Sequence, residues 1–189
     1  MWKTRIPMKL KVFLWLVLEE RLQSASQLKK MGWKGNLNCV LCNKPEDTNH
    51  ILFSCPMARF VWICIKEALG WERIPNSINE FFSNWLNKCR GVEKTCGLYC
   101  FTMVAWGLWK IRNDMAINLK FCRQLSNILY MVSLDMQKWK FLMKEQEREF
   151  VDKKLEKLKD WYFNFKKRLE ARPYRVMISC SSWVLAESC

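Results

Sequence analysis

The stretch CVLCNKPEDTNHILFSC, residues Cys39 to Cys55, decides how this chain is read. It holds the only histidine of the sequence, His50, among Cys39, Cys42 and Cys55. The spacing is C-x2-C-x7-H-x4-C. A two-residue gap lets a tight turn aim two sulfurs at one ion, and the His and last Cys, about a turn apart, can close a tetrahedron from the other side. Zinc favours such closed sulfur and imidazole sets in structural sites. From Trp33 to Pro56 the chain carries Gly35, Asn36, Asn38, Asn43, Pro45 and Asp47. These turn formers leave local structure weak, so something else must order the segment. A structural metal can supply on the order of 10 kcal/mol of apparent folding free energy. Two other readings stay open on spacing alone: a C-x-x-C redox pair, although no strand-helix context surrounds it, and four unrelated polar or buried side chains.

Outward from this loop the apolar spacing is helical almost throughout, with only six glycines and five prolines. Pro7 stands near the start of a first helix with an apolar run from Val12 to Leu18. Ser24 or Ser26 caps a short second helix that ends at Gly32. Pro56 opens an amphipathic helix with Phe60, Val61, Ile65 and Leu69 on one side, ended by Gly70. Asn76-Ser77 starts another, carrying Phe81, Phe82, Trp85 and Leu86 and closing near Gly91. Residues 94–118 hold Leu98, Phe101, Val104, Ala105, Leu108, Trp109 and Ile111. They are apolar on most sides, so this helix is expected to be central.

After Gly107 neither glycine nor proline returns until Pro173. Phe121, Leu125, Ile128, Val132, Trp139 and Leu142 keep helical steps, which lapse at Glu145–Glu149. They resume in a new phase with Val151, Leu155, Leu158, Tyr162, Phe165 and Leu169. The pattern predicts a long basic helix or a helical hairpin over 121–172 that docks on the preceding helices. Self-association through it is the sharper alternative. Residues 173–189 lack a period and read as a tail.

The net charge of +14, with half of the residues apolar and eleven tryptophans, describes a folded basic protein. Such a balance favours an anionic partner: nucleic acid, an acidic protein or an anionic membrane surface. Lys3, Arg5, Lys9 and Lys11 near the start, and Lys153, Lys154, Lys157, Lys159, Lys166, Lys167 and Arg168 near the end, are the residues expected to neutralise phosphates. Trp2, Trp33 and Trp62 are candidate stacking surfaces beside the loop. Ten cysteines scattered through apolar runs, without a convincing secretory signal, point to free thiols in a reducing intracellular compartment, nucleus or cytoplasm. The basic, acid-free start also has the character of a mitochondrial presequence, the alternative placement. No run reaches the roughly 18 apolar residues of a membrane span. Catalysis finds no foothold. A Ser-His or Cys-His pair would compete for the one imidazole, and no glycine-rich phosphate loop or small-molecule site is legible.

Residues 2–16 (WKTRIPMKLKVFLWL), Arg21-Leu22, residues 28–32 (LKKMG), Cys39-x-x-Cys42, Glu46, His50-Ile-Leu-Phe-x-Cys55-Pro56 and Val61-Trp62 resemble a known domain. It is the zinc-binding domain found after the reverse transcriptase of plant LINE-type (non-LTR) retroelements. Residues 106–113 (WGLWKIRN), followed by Phe121, are similar to a weaker pattern downstream in such elements. The resemblance implies Cys39, Cys42, His50 and Cys55 as metal ligands, zinc as a structural cofactor, and an inherited role in binding RNA or DNA. It departs from the family in starting part-way into the domain. It also shows no aromatic-x-Asp-Asp element and no carboxylate set of a polymerase or nuclease.

The sequence therefore predicts an all-α protein: a zinc-clipped unit (1–62), a tryptophan-rich helical body (63–120), a long basic amphipathic segment (121–172) and a tail (173–189). The expected function is non-catalytic zinc binding with non-specific nucleic-acid binding. The alternative is a co-opted element fragment that engages a protein partner through its helices as a regulatory or toxic factor, in one version at mitochondria.

Overall fold

The computed structural model describes residues 5–121 and 126–165, and among them every regular element is helical. Lys3, Trp2, Lys166, Lys167, Arg168 and the 173–189 tail lie outside the described residues. Helix α1 (Met8–Leu18) starts directly after Pro7. Helix α2 (Ala25–Lys30) is capped by Ser24, whose hydroxyl accepts the Gln27 N–H at 3.3 Å. Helix α3 (Pro56–Leu69) opens on proline, where the missing N–H costs nothing, and stops at Gly70 in the left-handed region (φ 68°).

The next element differs from the expected plain α-helix. Its first turn, Glu80–Trp85, is a wide π turn that runs into the short helix α4 (Leu86–Lys88). Ser77 and Glu80 fix its entry, the serine hydroxyl accepting the Glu80 N–H and the Glu80 carboxylate accepting the Asn76 N–H. Helix α5 (Gly91–Ala116) is the central rod, fully buried at Phe101, Met103, Ala105 and Leu108. It packs against α1, α4, α6 (Ser126–Trp139) and α7 (Glu145–Phe163). Close approach is what its glycines allow. A methyl group on Gly107 would sit 2.8 Å from the Val132 side chain of α6, and one on Gly97 2.8 Å from the Trp85 ring.

The C-terminal basic segment takes the hairpin form. Helices α6 and α7 pack on each other and are joined by a 3-10 turn at Lys140–Leu142. The stripe Val151, Leu155, Leu158 and Trp161 on α7 is buried within the chain, with α3, α5 and α6 as its neighbours.

One apolar core runs from Ile6 to Trp161. Its densest part is aromatic: Trp62 lies stacked against Phe53, Phe101 and Trp71, and Phe81 against Phe101 at 3.8 Å. Trp62 is wholly buried and donates its indole N–H to the Leu52 carbonyl at 2.6 Å. This corrects its reading as a stacking surface for bases. Cys64, Cys96 and Cys100 are free buried thiols that pack as small hydrophobes, and burial pushes the latter two up to about 12. No described helix is long and apolar enough to cross a membrane.

Candidate metal centre

The loop before α3 folds around two local devices. The first is a knuckle: the Cys39 N–H donates to the Lys44 carbonyl at 2.8 Å, and the Asn43 N–H donates back to Cys39 at 2.9 Å. Asn43 takes the left-handed backbone (φ 54°) that this return requires, a conformation asparagine tolerates. Asn38 and Pro45 close the knuckle with a single antiparallel bridge. The two thiols of the C-x-x-C pair are thereby presented on one side.

The second device is a π turn, His50–Ser54. In an α-helix a residue five positions on is rotated about 140° away. The wider turn, closed by the Cys55 N–H donating to the His50 carbonyl at 2.9 Å, brings the two back into register. Asp47 fixes its start, its carboxylate accepting the His50 N–H at 2.6 Å. Cys55 is also the residue that caps α3.

The result is one cluster. The ligand atoms of Cys39, Cys42, His50 and Cys55 all lie within 4.8 Å of one another, and His50 Nε2 is 3.3 Å from the Cys42 Sγ. Cys39, His50 and Cys55 are buried and Cys42 is half-buried. So many acidic groups at one point cannot all ionise unaided. Hydrogen bonding from the Cys55 thiol, helped by His50 and the Leu41 and Cys42 amides, outweighs burial and draws Cys39 down to about 3. Cys55, as the donor in that bond and as a buried thiol, is pushed up, and burial raises Cys42. Cys39 thus holds its proton least tightly of the three sulfurs. A divalent cation relieves this crowding by drawing off the remaining protons. Three sulfurs and one imidazole nitrogen within 4.8 Å of one another fit zinc, and they leave no protein-free position on a tetrahedral ion.

A buried ion pair anchors the loop. The Glu46 carboxylate accepts from Arg112 Nε at 3.0 Å and from Arg112 Nη2, and also from the Ala25 N–H of α2 at 3.2 Å. The Glu46 carbonyl accepts from the Ser26 hydroxyl at 2.7 Å. Arg112 stands 5.4 Å from the Trp109 ring and donates to Asn113 at 3.0 Å. Sequence reasoning noted Glu46 and residues 106–113 as separate motifs and missed that they are one contact. The signal that pointed there was a carboxylate between the candidate ligands and an arginine one turn beyond the long apolar run of α5.

The candidate phosphate-binding residues that the structure describes lie on α1, just before it, and on α7. Arg5 and Lys9 are exposed at the start of the chain, with Lys11 half-buried, and Lys153 and Lys157 are exposed on α7. Lys154 donates its ammonium to the Leu69 carbonyl at 3.0 Å and so closes the C-terminal end of α3. Trp33 is exposed.

Residues 1–62 match the family described as zinc-binding in reverse transcriptase. A protein of Arabidopsis thaliana provisionally named a ribonuclease H protein is 25% identical over 114 residues, covering 59% of this chain and 18% of its own length. The chain therefore spans less than a fifth of that relative. No solved structure matches. All four members of the cluster fall within the matched residues.

Proposed function

We propose that this chain is a non-catalytic module in which a structural zinc, held by Cys39, Cys42, His50 and Cys55, organises a surface that binds RNA or DNA without sequence preference. The observation that carries the reading is the closed, largely buried cluster of three sulfurs and one imidazole in a chain of net charge +14. Four protein donors fill a tetrahedral ion, which suits scaffolding and leaves no site for an activated water. The charge supplies the sequence-independent attraction to phosphates. The test is affinity for short RNA and duplex DNA across a salt series, wild type against His50→Ala. Steeply salt-dependent binding that disappears with the zinc supports the reading. A wild type that holds one zinc and binds neither polymer near physiological salt refutes the nucleic-acid half and leaves the metal half standing.

A second reading, a protein-interaction factor, draws on one feature. Met8, Val12 and Trp15 recur at helical spacing on α1 and are exposed at 65%, 42% and 37%. An apolar stripe of this kind suits helix docking, which depends little on salt. Salt-insensitive capture of a partner, abolished by Val12→Asp, would favour it.

A further inference from the structure

Two lysines of this protein rest on a tryptophan instead of a carboxylate. Lys9 of α1 lies 5.0 Å from the centre of the Trp139 ring and 5.6 Å from that of Trp106, and Lys138 of α6 lies 5.1 Å from Trp139. Of the carboxylates on α6 and α7, Asp135 pairs with Lys110, Asp152 with Lys140, and Glu145 with Arg148. Among the described residues neither Lys9 nor Lys138 joins an ion pair. Two positions after Trp139, in the 3-10 turn, the Phe141 ring lies 6.4 Å from it at 28°, and Phe141 is 60% exposed. The corner where α1 meets the α6–α7 turn thus offers two cations, a short aromatic stack and a ring open to water. None of the aromatic residues in it figured in the sequence reading as a binding surface, and it contains no residue of the metal loop.

We propose that this corner seats a single-stranded nucleic acid. An unpaired base extends the Trp139–Phe141 stack on the open side of Phe141, and the phosphates flanking it lie against Lys9 and Lys138. The inference rests on the nucleic-acid reading above and names its surface and substrate class. A duplex can meet the lysines through its phosphates but keeps its bases stacked, so it gains nothing from Phe141. An acidic peptide would satisfy the lysines and leave the ring uncovered. An unpaired strand uses both, since every base has a face to stack and every linkage a charge to neutralise.

The experiment uses the full zinc-loaded chain with a fluorescent 20-nucleotide oligouridine and a 20-base-pair duplex, read by anisotropy across a salt series. Phe141→Ala should weaken oligouridine binding about tenfold, with the salt slope and the duplex affinity unchanged. Phe141→Tyr should keep wild-type affinity, while Phe141→Leu should fall with the alanine variant. Lys9→Gln with Lys138→Gln should lower the salt slope on the single strand by about 1.4, two phosphates at roughly 0.7 each. Equal zinc content and melting temperature across the set guard against a folding artefact. If wild type binds but Phe141→Ala binds equally well, or loses duplex and single strand alike, the corner is not the seat and the broader reading survives. If wild type binds neither polymer, the broader reading falls and takes this one with it.

Discussion

His50 is held from both sides of its peptide, its N–H by Asp47 and its carbonyl by Cys55, so its ring has little freedom to leave the three sulfurs. Replacing it with alanine removes a ligand outright. Zinc affinity should then fall by more than the roughly 10–100-fold that loss of an outer partner costs, as read by competition with a chromophoric chelator. Protons give a second check. Cys42 and Cys55 have raised values and are thiols at neutral pH, whereas Cys39 is already a thiolate at about 3. Loading the three sulfurs must therefore expel thiol protons, so affinity should climb with pH through neutrality. A flat profile between pH 6 and 8 would mean the thiols are not ligands. The four residues themselves were legible, because two of them share a tight turn and the others follow within one short segment. The means of bringing His50 beside Cys55 was not. No residue preference marks a π turn, and five positions of ordinary α-helix would have set His50 and Cys55 on different faces.

At the scale of elements, α5 is the piece on which the rest is hung. Gly107→Ala should gain up to about 1 kcal/mol in helix propensity but force Val132 aside. We expect a net loss on the order of 1–3 kcal/mol in chemical denaturation, the cost of overpacking. A stabilised Gly107→Ala protein would show that α6 can simply move away. Arg112→Met leaves the buried Glu46 carboxylate without its cation, a change that costs about 3–5 kcal/mol when one partner of such a pair is removed. The double variant Glu46→Met with Arg112→Met should recover much of that loss, which distinguishes an uncompensated charge from lost packing. Helix starts and stops were readable wherever a proline, a serine cap or a glycine marked them, as at Pro7, Ser24, Pro56 and Gly70. The Glu80–Trp85 turn was not, since its shape follows from fitting Phe81 and Trp85 against Phe101 and Trp71 instead of from local preference. The hairpin break at Lys140–Leu142 was announced only by the lapse of the apolar pattern at 145–149.

For the whole molecule, the edge of the family match and the edge of the core do not coincide. The match stops at Trp62, whose ring is covered by Phe101 of α5 and Trp71, and Glu46 within it is neutralised from α5. A peptide of residues 1–62 is therefore expected to take up zinc yet show no cooperative melting, whereas the full chain should melt around its single core in one transition. A sharp calorimetric transition in the peptide alone would overturn that expectation. Distances along the chain carry a further consequence. The four clustered donors sit within residues 39–55, and closing a loop of that length takes well under a microsecond. The contact that fastens the loop joins residues 66 positions apart and must await α5. Metal capture can thus precede docking, and the unfolded chain can itself hold zinc. Because an ion bound in both states stabilises the folded one only by the difference between the two affinities, zinc should raise the melting temperature by less than its affinity for the folded protein implies.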